Sequence, residues 1–169
     1  LNLLSIPHQA YKYRYKIIVE NEISYSFVGF SAAGLRMKFS FEGRTAELPF
    51  GETIPKTVSV TTSIDYSGTA KCSQLEWPWS MKLTSNAAQN GDISVKVGDR
   101  TFIYHAVTPL ASGDVLLLKG IETTLNALNV NDKTNYEHFI LKPNASKKIA
   151  LTTNFKGTIQ LLNFVELYK

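Results

Sequence analysis

The alternation of apolar and polar positions predicts a chain made almost wholly of short strands. Residues 11–19 and 23–29 read as two strands separated by the polar break Glu20-Asn21-Glu22. After a second break at 31–34, Leu35, Met37, Phe39 and Phe41 alternate with Arg36, Lys38 and Ser40. That is a period of two, with apolar side chains on one face of a strand and polar ones on the other. Residues 43–56 lack alternation and carry Pro49 and Pro55, so they read as a long connection. A boundary is therefore placed after residue 56, giving an N-terminal β segment (1–56) and a larger unit (57–169).

Alternation resumes at Val58 and Val60, then Ile64 and Tyr66. Residues 77–83 read as a strand that starts late or lies at an edge, because of Pro78. Ile93, Val95 and Val97 run into Gly98-Asp99, a two-residue hairpin turn leading to residues 100–105. Residues 115–119 form a short apolar run of the kind buried between two sheets. Residues 122–135, rich in Asn and Thr, read as loop with at most one short strand. Three further strands are expected at 138–142, 148–152 and 158–168. Ten to twelve short strands with this punctuation, and no helical periodicity, predict an all-β fold: an antiparallel β-sandwich with a smaller N-terminal β unit.

Composition supports a folded chain. Among 169 residues, 44% are hydrophobic and 19% charged, so disorder is not expected. The net charge of +4 is scattered along the chain. The nearest thing to a cluster is Lys12, Arg14 and Lys16, which alternate with Tyr11, Tyr13 and Tyr15 as on a strand with one charged face. Nucleic-acid binding is accordingly not expected. A single cysteine, Cys72, rules out an intramolecular disulfide framework and points to a reducing cytoplasm as the place of synthesis. No apolar run approaches the roughly 20 residues that span a bilayer, so no membrane insertion is expected.

Candidate chemistry is thin. The possible bases His8, His105 and His138 lie in no catalytic signature with Cys72, and no G-x-S-x-G elbow occurs. One Cys and three dispersed His give no zinc spacing. The oxygens of residues 129–132 lack the rest of a calcium loop and read as turn chemistry. Asp65, Glu76 and Glu122 are available as paired carboxylates, but nothing selects them. No catalytic residue, metal or cofactor is expected, and the chain reads as a non-enzyme. Two stripes invite a binding role: Trp77 and Trp79, which would share a strand face and could stack on sugar rings, and Tyr11, Tyr13 and Tyr15, which suit a protein contact. Core packing of the indoles is the plainer reading.

Residues 112–168 carry an ordered set of turn and strand motifs. Gly113-Asp114-Val115 enters an apolar strand, Leu125-Asn126 follows, and Phe139-Ile140-Leu141-Lys142-Pro143-Asn144 makes an aromatic-Leu-Lys-Pro turn. Phe164, Glu166 and Tyr168 close the chain. In this order they resemble the end of the distal tail proteins of long-tailed, non-contractile (siphovirus-type) bacteriophages. Residues 64–70 and the hairpin at 93–105 extend the resemblance to about residues 60–169. The turn departs from the family's Pro-Gly, but Asn144 also tolerates left-handed backbone.

The resemblance implies a galectin-like sandwich and a structural place at the virion tail tip, with the tail tube and tip or adhesion proteins as partners. It also implies a homo-oligomer, since the family's N-terminal belt domain builds a hexameric ring. The segment 1–56 is much shorter than that belt and is expected to be a reduced or partial belt-like unit. The alternative expectation is a carbohydrate-binding module or surface adhesin that takes a cell-surface glycan on Trp77 and Trp79.

Overall fold

A computed structural model of the chain describes residues 14–45 and 50–169. The described chain is all-β and antiparallel throughout, with one turn of 3-10 helix at Asn131–Lys133 and no α-helix. The first four strands are β1 (Ile17–Val19), β2 (Ser24–Ser31), β3 (Gly34–Ser40) and β4 (Gly43–Thr45). They make a long two-stranded ribbon, with β1 paired to β4 and β2 to β3. Between the two ladders the strands stay joined by Glu20 N–H donating to Glu42 O (3.3 Å) and by the Asn21 amide on the Glu42 carboxylate (2.7 Å). An ion pair between Arg44 and Glu20 adds a third tie.

The remaining strands build the sandwich. In chain order they are β5 (Gly51–Glu52), β6 (Lys56–Val60), β7 (Ser63–Asp65), β8 (Cys72–Ser73), β9 (Ser80–Ser85), β10 (Ile93–Val97) and β11 (Arg100–Tyr104). Then follow β12 (Val115–Lys119), β13 (Glu122–Leu125), β14 (Leu128–Asn129), β15 (Ile140–Leu141), β16 (Lys148–Thr153), β17 (Gly157–Phe164) and β18 (Leu167–Tyr168). One sheet has the order β11-β10-β16-β7 and the other β14-β13-β12-β9-β17-β6, with short pairs β15-β8 and β18-β5 beside them.

Alternate residues of each sheet point into the core, as the pleat requires. Val95, Phe102 and Leu151 of the four-stranded sheet are buried, as are Met81, Leu116 and Leu161 of the six-stranded one. Their neighbours Lys82, Lys96 and Gln160 lie on the outer, more solvated faces. Tyr66 ties the chain ends into this core: its hydroxyl donates to Ala70 O (2.6 Å) and accepts from Leu167 N–H (3.3 Å). Gly68 is required beside it, because a Cβ there would lie 2.6 Å from Leu167 O and from the Tyr66 ring.

The expected hairpin at 93–105 is present, in the register Val97↔Arg100. The strand expected at 77–83 starts late, as Pro78 suggests: Trp77 N–H donates to Ser73 O and Trp79 N–H to Trp77 O, so the chain turns there and β9 begins at Ser80, inside its sheet. Other expectations need correction. Residues 122–135 hold two strands rather than at most one. Asn126 and Ala127 both adopt left-handed backbone (φ 48 and 68) and form a tight turn between β13 and β14. Residues 158–168 are two strands: β17 passes through a register shift at Asn163 (φ 53) and ends at Phe164, and the chain leaves the ladder at 165–166 before β18.

The boundary placed after residue 56 falls within β6. β5 pairs with β18 and Phe50 packs on the core, so the sandwich includes residues from 50 onward.

Candidate interaction surface

The ribbon's outer part is strongly two-faced. Directly opposed residues of an antiparallel pair share a face, and the register pairs Tyr25 with Phe39, Phe27 with Met37 and Phe30 with Leu35. Spacing along β2 is two from Tyr25 to Phe27 but three from Phe27 to Phe30. A bulge between Phe27 and Gly29 absorbs the extra residue and returns Phe30 to the same face. Gly29 takes φ 147 there, a conformation open to glycine. All six apolar side chains therefore lie together, while Ser24, Ser26, Arg36, Lys38 and Ser40 occupy the reverse face.

None of the six is covered. Their exposure runs from 50% for Met37 to 81% for Phe30. Phe27 and Phe30 meet edge to face with ring centroids 5.3 Å apart, and Phe39 stacks on Phe41 at 6.4 Å. Among the described residues, no further strand pairs with β2 or β3, so both outer edges of the ribbon are open. A two-stranded ribbon is marginal alone in water, and an exposed apolar patch of this size marks an interaction site.

The sandwich treats its edges differently. Asn135 lies along the free edge of β11: its N–H donates to Ile103 O, its side-chain amide donates to Thr101 O, and its side-chain oxygen accepts from Ile103 N–H. The opposite sheet ends in β14, only two residues long. Both devices blunt edge pairing.

The ribbon's base is fastened by charge. Glu52 is 2% exposed, and its carboxylate meets Arg14 Nη2 at 3.3 Å and Lys16 Nζ at 3.6 Å. Arg14 and Glu52 also exchange backbone hydrogen bonds at 2.7 and 2.8 Å. Lys16 Nζ lies 5.5 Å from the Trp77 ring centre, a cation–π contact. Trp77 is thus a joint between the ribbon's base and the sandwich.

The residues selected from sequence for glycan or protein contact fare unequally. Trp77 and Trp79 are 5% and 0% exposed, so neither indole offers a face to a sugar ring, and they do not share a strand face. The plainer reading of both as packing residues describes them. Tyr15 is 42% exposed, next to the Glu52 cluster. Tyr11 and Tyr13 lie outside the described residues. The residues sequence reasoning missed are those of β2 and β3. Their alternation was visible, but a period of two says which side chains share a face and not whether that face meets core or solvent.

Elsewhere the groups with chemical potential are occupied structurally. Cys72 is fully buried, and burial pushes its thiol up to about 12, with Glu76 adding to this. His105 pairs with Asp92 at 2.9 Å, and His138 lies against Arg100 and Glu137. Among the described residues no three His, Cys, Asp or Glu side chains come together as a metal site. A groove between β6 and β17, lined by Ser59, Thr61, Thr153 and Phe155, holds no titratable group.

Of the residues singled out at 112–168, those of the Gly113-Asp114-Val115 and Leu125-Asn126 motifs meet one another. Asn126 donates through its amide to Asp114 Oδ1 (2.8 Å), accepts from Val115 N–H (2.9 Å), and donates through its own N–H to Val115 O. Asp114 Oδ2 accepts from Ala111 N–H (2.7 Å), and these two donors hold the carboxyl below the usual carboxylate range. Asn144 closes its turn on Ser146 and Lys148, and Glu166 accepts from Ser67 N–H and the Tyr168 hydroxyl. These residues build the sandwich's turns and termini. Compared with protein-family models and with curated proteins, the sequence gives no match.

Proposed function

We propose that this protein is a non-catalytic structural component of a bacteriophage or prophage tail tip, a distal tail protein that joins the tail tube to tip and adhesion proteins. The observation that carries the assembly role is the ribbon of β2 and β3, with six uncovered apolar side chains on one face and open edges on both sides. A surface of that kind is an assembly element, since it gains stability only when another protein covers it. The phage-tail assignment adds the order of motifs in residues 112–168 and the sandwich they build. The protein would be made in the host cytoplasm and act in the virion.

The test is reconstitution with the tail-tube and tip proteins encoded beside it. A stable complex by co-purification, and density for this protein at the tail end in electron micrographs, are the expected results. A protein that associates with neither sinks the tail assignment. The glycan-binding alternative has lost its carriers, because both tryptophans are enclosed.

A further inference from the structure

We propose that the occupant of the ribbon's apolar face is the same face of a second copy, two ribbons packing apolar side to apolar side about a two-fold axis. This deepens the reading of the ribbon as an assembly surface, but it does not rest on the phage-tail assignment.

Three features select a second copy. The first is composition: between Ile23 and Phe41 there is no acidic residue, and the two cations, Arg36 and Lys38, lie on the reverse face. Two such ribbons stacked at the roughly 10 Å spacing of packed sheets bury no charge and bring no like charges together. The second is shape. The face has three rungs, Tyr25–Phe39, Phe27–Met37 and Phe30–Leu35. A two-fold axis over the middle rung sets each outer rung against the other outer rung of its partner, so every rung is covered once. The third is area. Six large side chains at these exposures present on the order of 600 Å² per copy, about 1,200 Å² for the pair, which reaches the lower bound for a specific stable contact.

A lipid surface fits less well. Hydrocarbon leaves the ribbon's open edge amides and carbonyls without partners, whereas a stacked pair keeps both edges at a wet rim. On the sandwich, Asn135 guards the β11 edge and the β14 edge is short.

Sedimentation equilibrium of the full chain tests the contact. The wild type is expected to reach dimer mass as concentration rises. Phe27→Glu and Phe30→Glu are expected to weaken that dimer by about 30-fold or more, as hot-spot losses do, while Lys38→Glu on the reverse face leaves it unchanged. Met37→Cys, which keeps the face apolar, should cross-link into a disulfide dimer under mild oxidation near the axis. Buried Cys72 gives no background in that experiment. Near-ultraviolet dichroism confirms that each variant keeps the sandwich.

A wild type that stays monomeric at every soluble concentration overturns the proposal. So does a dimer that survives both glutamate substitutions, or flotation of a monomer with anionic vesicles. A dimer that obeys the ribbon substitutions yet ignores tail-tube and tip proteins leaves the ribbon contact standing and removes the tail assignment.

Discussion

Glu52 holds the ribbon's base through two cations from the segment that precedes it, and its own backbone is shared between Arg14 and the β5-β18 pair. Replacing it with alanine leaves Arg14 and Lys16 facing a buried gap. Breaking a fully buried pair is costly, but both cations are about a quarter exposed and recover some hydration. Glu52→Ala is therefore expected to lower unfolding free energy by about 1–3 kcal/mol, measured by urea denaturation, with Arg14→Ala costing less. Equal losses would mean the cluster acts only through packing.

At the same scale, Cys72 and Tyr66 make the fold sensitive to alkali. Burial holds the Cys72 thiol up to about 12 against its ordinary 9.0 and also raises the Tyr66 phenol. Between those limits the unfolded chain loses protons and the folded chain does not, so stability is full below the unfolded value and falls as pH rises. The thiol alone contributes a slope of up to about 1.4 kcal/mol per pH unit above pH 9. Cys72→Ala should flatten the stability profile between pH 9 and 10, and parallel profiles would exclude the thiol as the cause. The same thiol is expected to resist alkylation until the protein unfolds.

Among the elements, the turn at Gly113-Asp114 depends on a residue twelve positions away. Asn126→Ala removes the side-chain ties to Asp114 and to Val115 N–H and should cost about 1 kcal/mol, read as a lower melting temperature. Asp114 stabilises the fold above its unfolded carboxylate range and loses that contribution as pH falls through it. The variant should thus also show a shallower acid limb than wild type.

This turn also shows what sequence makes legible at the scale of elements. Gly98-Asp99 and the alternation of 93–97 carry the whole instruction for a hairpin locally, and they read correctly. Ala127 in left-handed backbone carries no such signal; it is held by strand pairing on either side, so β13 and β14 read as loop. Trp77 and Trp79 show the converse. Their spacing is that of a strand, but Pro78 and the turn from Ser73 keep them out of β9. The six apolar residues of the ribbon could be assigned to one face only with the bulge at 27–29 in hand, since Phe30 breaks the period. Their exposure depends on what the other described residues place over them, which no local pattern encodes.

For the whole molecule, the division lies between ribbon and sandwich rather than after residue 56. A chain of residues 50–169 keeps β5, its pairing with β18 and the contact of Phe50 with the core. It is expected to unfold cooperatively, close to the full chain. A chain of residues 57–169 loses β5 and Lys56, which pairs with Phe164 and lies over its ring, 5.7 Å from the centre. It should melt at least several degrees lower by circular dichroism. Similar melting of the two shorter chains would show that β5 is an ornament of the sandwich rather than a part of it.

The placement of Trp77 and Trp79 has a practical consequence for watching this protein assemble. They are the chain's two tryptophans: Trp77 lies under Lys16 at the ribbon's base, and Trp79 is enclosed in the sandwich core. Indole emission is therefore a gauge of that joint, and it is silent about the outer ribbon, whose only long-wavelength absorber is Tyr25. Partners that cover the apolar face alone should leave the tryptophan spectrum unmoved while quenching tyrosine. A shift in indole colour on assembly would report that the contact has reached down the ribbon and reset the angle at which it is carried.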